Sequence, residues 1–495
     1  MKKITSLIAL LLFSLTGFSQ TVLSLDSCRA MALRNNKQLN ATKLKQDIAV
    51  NIRKTARTKY LPKVDVLGGY HFMSKEVSVL NNDQKAILGN LGTSMSTAIG
   101  GNMTNALTGL VSKGLLSPQT AKELGTTFEA LSPALSSAGD AFGQKIKEAF
   151  RTDTRNIWAG SVMLRQPIFM GGAIVAANKM ADISEQMALT EIDGKTQSTI
   201  YSVDETYWLV VSLKQKKNLA ESYRDLVQKL NDDVHKMIDQ GFATRADGLK
   251  VDVKVNEADM QVTQADNGLA LAKMLLCQLC GIPVNSNITL SDENNENLNV
   301  YDDTADIPNI DIKETRPEIK MLNQAVELSK QSTKLITAEY LPHVALTGGY
   351  MISNPNTFNG FEKKFSGVWN IGVVMQIPVW NWFESSYKIK ASKTATAIAS
   401  LEMNDAIEKV NLQIEQSRFK VTEANKRLIM ATRNVANAEE NLRCANVGFK
   451  EGVMESTDVM TAQTAWQSAK SQKIDAEIDV KLAQVALKKA LGVLQ

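Results

Sequence analysis

The chain has 495 residues, with 56 Lys plus Arg against 52 Asp plus Glu and a formal net charge of +4. So even a balance excludes the basic footprint of a nucleic-acid binder, and 44% hydrophobic with 22% charged residues excludes both a disordered chain and a bundle of membrane helices. Aromatic residues make up only 6%, so their placement carries information.

Residues 1–20 read as a secretory signal peptide. Lys2 and Lys3 precede an apolar stretch around Ile8 to Phe13, and Gly17, Phe18 and Ser19 lead to a cleavage point near Gln20. No later run of 18 apolar residues appears, so the mature chain is expected to enter a membrane, if at all, as strands.

A first repeat, 21–284, opens with helical sequence and changes period at Tyr60-Leu61-Pro62. Val64, Val66, Gly68, Tyr70 and Phe72 then point one way, and Asp65, Leu67, Gly69 and His71 the other, as in a strand. A segment from about 81 to 151 is rich in Gly, Ala, Ser and Thr, with short helical stretches such as Ala121 to Leu131 and Gly143 to Phe150; it reads as an inserted loop. A second strand carries Trp158 and ends at Gln166-Pro167-Ile168-Phe169. The next helix runs from Ala173 to Gln240, with Leu219, Tyr223, Leu226, Leu230 and Met237 in heptad spacing. Gly241 marks a tip turn before a returning helix that ends at Leu279-Cys280-Gly281-Ile282. Cys277 and Cys280 lie in this apolar helical end without a His-rich companion segment, which favours packing over redox or metal chemistry. No metal site and no cofactor are expected.

An Asn- and Asp-rich stretch, 285–312, reads as a polar linker or equatorial segment. The second repeat, 313–495, restates the first. Tyr340-Leu341-Pro342 through Gly348-Gly349-Tyr350 matches Tyr60-Leu61-Pro62 through Gly68-Gly69-Tyr70 at an offset of 280. Further on the offset is 211, pairing Trp158 with Trp369, Gly241 with Gly452, Asp247 with Asp458 and Gly281 with Gly492. The difference of 69 residues is the insertion. A proline-free helix from Glu384 to Lys450, roughly 100 Å long at about 1.5 Å per residue, carries a seam at Val410, Ile414, Ser417, Val421, Ala424, Leu428, Ala431, Val435, Ala438, Leu442 and Ala445. Its tip turn is at Gly452.

Trp158, Trp369, Trp380, Trp382, Tyr70 and Tyr350 fall in or beside the strands, as an interfacial aromatic girdle against outer-membrane lipid requires; a sandwich core is the alternative. Four strands cannot close on themselves, and open edges in lipid cost several kcal/mol per unpaired backbone group. The chain is therefore expected to oligomerise, with eight strands in a dimer and twelve in a trimer, the wider lumen belonging to the trimer.

The Leu-Pro and Pro-Ile-Phe/Pro-Val-Trp junctions, the Gly-Gly after Phe169-Met170, the turns Gly241-x5-Asp247 and Gly452-x5-Asp458, and the two terminal Leu-Cys-Gly-Ile and Leu-Gly-Val segments resemble the TolC family of outer-membrane efflux proteins. The resemblance spans the mature chain except the insertion. It implies an α+β membrane protein: a trimeric 12-stranded β-barrel, four strands per chain, continued by a long α-helical coiled-coil barrel, with an internal duplication. It implies a homotrimer in the outer membrane extending into the periplasm. A periplasmic adaptor, docking at the tip turns Gly241 and Gly452, and an inner-membrane exporter of RND or ABC type are the implied partners. It also makes Asp458 a pore-lining acid at the periplasmic gate. Thr461 replaces a second acid there, and Phe449 and Met454 stand where a tyrosine and an arginine tie the closed state. Asp247 is retained, and Arg245 is a candidate partner for Asp247, Glu455 or Asp458; the alternative is that these are solvated charges at helix starts.

By strand order the insertion joins two strands at the extracellular mouth, where a lid or a decorated loop is expected. The expected function is the exit duct of a tripartite efflux system. A type I protein secretion duct shares this architecture, whereas a periplasmic adaptor should carry one hairpin between compact β domains. No catalytic constellation is recognised, so no enzyme is expected.

Overall fold

A computed structural model describes residues 21–152, 154–295, 298 and 311–494. The signal-peptide reading of 1–20 and most of the latter half of the linker lie outside the described residues. In chain order the elements are β1 (Thr21–Leu23), α1 (Leu25–Asn35), α2 (Lys37–Arg57), β2 (Lys63–Phe72), α3 (Asn82–Gly89), α4 (Leu91–Ser112), α5 (Pro118–Ala149), β3 (Asn156–Met170), α6 (Ala173–Asp239) and α7 (Arg245–Cys280). There follow β4 (Ile288–Leu290), α8 (Ile312–Thr315), α9 (Pro317–Ala338), β5 (His343–Asn354), β6 (Ser366–Gln376), α10 (Glu384–Lys450) and α11 (Ser456–Ala490). They form two compact units.

The helical unit contains α1, α2, α6 to α11, β1 and β4. Helices α6 and α10 are each 67 residues long, and their returning partners α7 and α11 are 36 and 35. Neither long helix contains proline, and both stop at a left-handed glycine, Gly241 or Gly452, that a side chain would strain. All eleven seam positions expected on α10 are buried or half-buried, Leu428 and Ala438 being the half-buried ones. The seam of α6 differs: Tyr223, Val227, Leu230 and Val234 are fully buried, while Leu226 and Met237 are half-buried. Around Thr199 to Gln215 this helix is covered on several sides, so one heptad stripe does not describe it.

Its densest core joins Cys28 and Ala32 of α1, Tyr207, Val210 and Val211 of α6, Leu276, Cys277 and Cys280 of α7, and Ile288 and Leu290 of β4. The three cysteines are free thiols with no exposed surface, and burial pushes the Cys277 thiol up. All three fill space, the role expected of Cys277 and Cys280. The stretch read as linker contributes more than polar turns: β4 pairs in parallel with β1, Thr21 opposite Ile288 and Leu23 opposite Leu290. Three residues were too short a run to stand out among the surrounding Asn and Asp.

The second unit contains β2, β3, β5, β6 and α3 to α5. Its sheet is antiparallel in the order β2-β3-β5-β6, which makes β2 and β6 the open edges. One bulge interrupts β3 between Pro167 and Phe169, where proline has no N–H to give the ladder.

The insertion departs from the loop with short helical pieces expected of it. It forms a helical hairpin, α4 of 22 residues against α5 of 32, with Pro133 inside α5. Small residues make this possible. A Cβ on Gly92 would lie 2.7 Å from the Gly139 Cα, and one on Gly143 would lie 2.9 Å from the Leu88 carbonyl carbon. The backbones thus approach closely, and the Ser96 and Ser132 hydroxyls meet at 2.5 Å across the seam. Asp140 holds the start of α4, accepting from Gly92 N at 2.8 Å and Thr93 N at 3.1 Å. A seam of Gly and Ser has neither helix propensity nor hydrophobic period, so the pattern was not legible in sequence.

Candidate functional site

The sheet separates its side chains by chemistry. Cross-strand register puts Val66, Val162, Tyr350 and Trp369 in one row, and Val64, Leu164, Gly348 and Ile371 in the next. Leu346 faces Val373 and Val344 faces Met375 on the same side. The other side is mixed, with Lys63, Arg165 and Thr347 in one row, Asp65, Met163, Gly349 and Asn370 in the next, Leu67, Ser161, Met351 and Val368 in a third, and Ala159, Ser353 and Ser366 beyond. In a single chain the apolar side is bare: Val66 is 77% exposed and Ile371 69%. An apolar face about ten residues tall opposite a mixed one is the pattern of a strand wall between lipid and water. No described helix is long and apolar enough to cross a membrane.

Four of the six aromatics expected in a girdle lie as pairs on the sheet. Tyr70 is opposite Trp158 with ring centroids 4.5 Å apart, and Tyr350 is opposite Trp369. The Tyr70 hydroxyl donates to Asn156 Oδ1 at 2.7 Å, giving an apolar ring with a polar tip, as an interface favours. Trp380 and Trp382 follow β6 in sequence and belong to the helical unit, where they stack edge-on at 5.8 Å with Phe383 alongside Trp380. All six aromatics are exposed in the single chain.

The two tip turns have the same construction. After α6, Gly241 N donates to Ile238 O at 3.0 Å and Phe242 N to Met237 O at 2.8 Å; after α10, Gly452 N donates to Phe449 O at 3.1 Å and Val453 N to Gly448 O at 2.9 Å. Each is a paired closure that satisfies the last carbonyls of its helix. Both present a bare apolar side chain, Phe242 and Val453, 78% and 79% exposed. Sequence reading singled out the glycines and passed over these two.

Each turn leads into a capped helix. Asp247 Oδ2 accepts from Thr244 N at 3.2 Å and from the Thr244 hydroxyl at 2.6 Å, and Lys250 Nζ lies 3.2 Å from Oδ1. The Thr244 hydroxyl above all, then Lys250, hold this carboxyl below the usual range. Asp458 Oδ2 accepts from Glu455 N at 3.1 Å. Asp458 and Thr461 are exposed, the Thr461 hydroxyl donating to Thr457 O at 2.8 Å. Arg245 is exposed and makes no ion pair among the described residues of one chain; Asp247 faces Lys250 instead.

One apolar cluster gathers both hairpins beneath these turns. It contains Tyr223, Val227, Leu230 and Val234 of α6, Val251 of α7, Leu442 and Ala445 of α10, and Val459 and Ala462 of α11, with Phe449 half-buried against it. Gln463 Nε2 donates to Leu226 O at 3.2 Å across the hairpins. The structure thus brings Asp247 and Asp458 to corresponding points above one core, with Phe449 packed against its edge.

Residues 311–493 match the family model described as outer membrane efflux protein. The outer membrane efflux protein BepC of Brucella suis is 23% identical over 350 residues, covering 69% of this chain and 73% of that protein. The alkaline protease secretion protein AprF of Pseudomonas aeruginosa is 20% identical over 353 residues, 68% of this chain and 70% of that one. The solved structure of the outer membrane protein VceC from Vibrio cholerae is similar with a TM-score of 0.69 at 13% identity, covering 94% of this chain and 96% of that one.

The second repeat carries the outer membrane efflux protein model, and the chain as a whole has the fold of solved TolC-like outer-membrane channels. The relatives BepC and VceC are named as outer-membrane proteins, which suits a four-stranded sheet with one apolar face. Members of the family are channels rather than enzymes.

Proposed function

We propose that this chain is the outer-membrane component of a tripartite efflux system. Three copies join edge to edge, β2 of one to β6 of the next, closing a 12-stranded barrel in the outer membrane. The helical units associate as a coiled-coil barrel in the periplasm. Small molecules arrive from an inner-membrane exporter of RND or ABC type through a periplasmic adaptor. The observation that carries this reading is the four-stranded sheet with one apolar face and two open edges, since unpaired strand edges are intolerable in hydrocarbon. The matching lengths of α6 with α10 and of α7 with α11 support a duplicated unit, with 21–284 and 313–495 as its copies.

Gating follows from the tips. Three Asp458 side chains around a threefold axis form a carboxylate ring that admits cations and repels anions. Thr461 makes the ring less acidic than two acids per chain would, and Asp247 and Arg245 adjust the charge beside it. Adaptor docking uses the turns at Gly241 and Gly452, whose neighbours Phe242 and Val453 offer apolar contacts.

Light scattering of the detergent-solubilised protein, combined with conductance in planar bilayers, tests the reading: a trimer with cation-selective current is expected. A monomer without current rejects it. The similarity to AprF, named for protease secretion, keeps protein export as a second reading. Loss of a secreted protein with no change in sensitivity to dyes and detergents, in cells lacking this chain, would favour that reading over small-molecule efflux.

A further inference from the structure

The insertion hairpin carries an apolar ridge that is largely bare in one chain, Phe128 alone being half-buried beside Gly100. Along α5, Leu124, Phe128, Leu131, Leu135, Ala138 and Phe142 recur at alternating spacings of four and three, the repeat of a coiled-coil seam. Leu131 and Phe142 are each 60% exposed, and Leu124 and Leu135 are also exposed. The contact of α5 with α4 uses a different strip: Ser132, Ser136 and Gly139 meet Gly92, Thr93 and Ser96. Thr127, Ala134 and Ala141, on the open side of the ridge, are small, uncharged and exposed. The whole of α4 contains no charged residue, although Met95, Ile99, Met103 and Leu110 are exposed on it. So much bare apolar surface in a helical hairpin marks an interaction face.

We infer that this ridge docks against the same ridge of a second copy of the chain, so that the hairpins of the assembly form a helical cap over the extracellular mouth. The inference rests on the trimeric barrel proposed above. Topology supplies the partner. The hairpin is inserted between β2 and β3, and β2 is an open edge of the sheet. Closing that edge with another copy brings a second hairpin to the neighbouring point of the same rim. Charge permits like to meet like, because the strips beside the ridge hold Gly, Ser, Thr and Ala. Residues 81–151 contain no Trp or Tyr, whereas the strand wall is marked by both, which favours a protein partner over lipid headgroups.

The test uses the full-length protein with the exposed Cys444 replaced by Ser. Leu131→Cys is placed on the ridge and Glu123→Cys off it, and both are oxidised in the detergent-solubilised trimer. Each pair of thiols loses two protons and two electrons to the added copper-phenanthroline oxidant, forming one disulfide. The expected result is a gel shift to covalent dimer for Leu131→Cys alone, together with slow reaction of its thiol with aqueous maleimide. A trimer in which Leu131→Cys does not cross-link and reacts with maleimide as fast as Glu123→Cys overturns the cap and leaves the barrel standing. Labelling of Leu131→Cys by a membrane-restricted probe in vesicles assigns the ridge to lipid and likewise overturns it. A monomer by light scattering rejects the trimer reading, and the cap with it.

Discussion

Asp458 accepts a hydrogen bond from the backbone N–H of Glu455 at 3.1 Å, so the acid proposed to line the constriction also closes the first turn of α11. Its charge and its acceptor oxygen are separable. Asp458→Asn removes the charge and keeps an acceptor, whereas Asp458→Ala removes both. Both variants should lose cation selectivity, read as a reversal potential moving towards zero in a KCl gradient, and only Asp458→Ala should also melt earlier. Arg245→Ala, which deletes an exposed cation of the other tip turn, should raise cation selectivity. Currents and reversal potentials unchanged in all three would refute the gate.

Neighbouring residues on β6 test the two faces of the wall. Ile371 points to the apolar side and Asn370 to the mixed one. Arginine at the first position should cost about 2–4 kcal/mol near the bilayer midplane and lower the yield of folded protein in the outer membrane. Asn370→Arg should assemble normally and shift selectivity towards anions. Equal assembly of the two variants would contradict the assignment of faces.

A buried carboxylate in the helical unit is held by an ion pair. Arg29 Nε and Nη2 donate to Asp204 at 2.7 and 2.6 Å, and Asp204 has no exposed surface. Asp204→Ala leaves Arg29 with only the exposed Asp26, 3.3 Å from Nη1, and removing one member of a buried pair costs about 3–5 kcal/mol. Replacing both by Arg29→Met and Asp204→Leu should recover most of that loss in thermal unfolding. If the double variant is as unstable as Asp204→Ala, the loss comes from packing rather than from the stranded charge.

Stability should respond to pH through Glu477. Burial pushes its carboxyl above the ordinary range despite Lys473 at 3.3 Å. A raised carboxyl means that folding favours the protonated form; its contribution is fully present below the ordinary Glu value and fades as pH rises through the folded one. Glu477→Gln should therefore raise the melting temperature at pH 8 and change it little at pH 4. A gain of the same size at both values would show that ionisation is not the cause.

Removing residues 81–151 and joining the strands by a short turn should leave the trimer intact, because β2 and β6 still pair. Conductance should increase, since the cap goes with the hairpin. Unchanged conductance would make the hairpin a surface decoration.

Much of the fold was legible because its physics is local and periodic. Alternation from Val64 to Phe72 and heptads from Val410 to Ala445 are read one residue at a time, and Pro62, Pro342, Gly241 and Gly452 punctuate them through fixed backbone preferences. The α6 seam was legible only in part, because burial on several sides erases a single stripe. The insertion was misread as loop: close approach of Gly92 to Gly139 stabilises that hairpin, and neither glycine signals a helix by itself.

The sequence by itself determined the long helices, the four strands of the sheet and which strand face is apolar, since these follow from side-chain period and backbone preferences. Only the tertiary structure decided the strand order β2-β3-β5-β6, the pairing of Arg29 with Asp204 across 175 positions, and the close approach of Gly92 to Gly139. Each of those depends on which distant segments share space, and no local pattern encodes that.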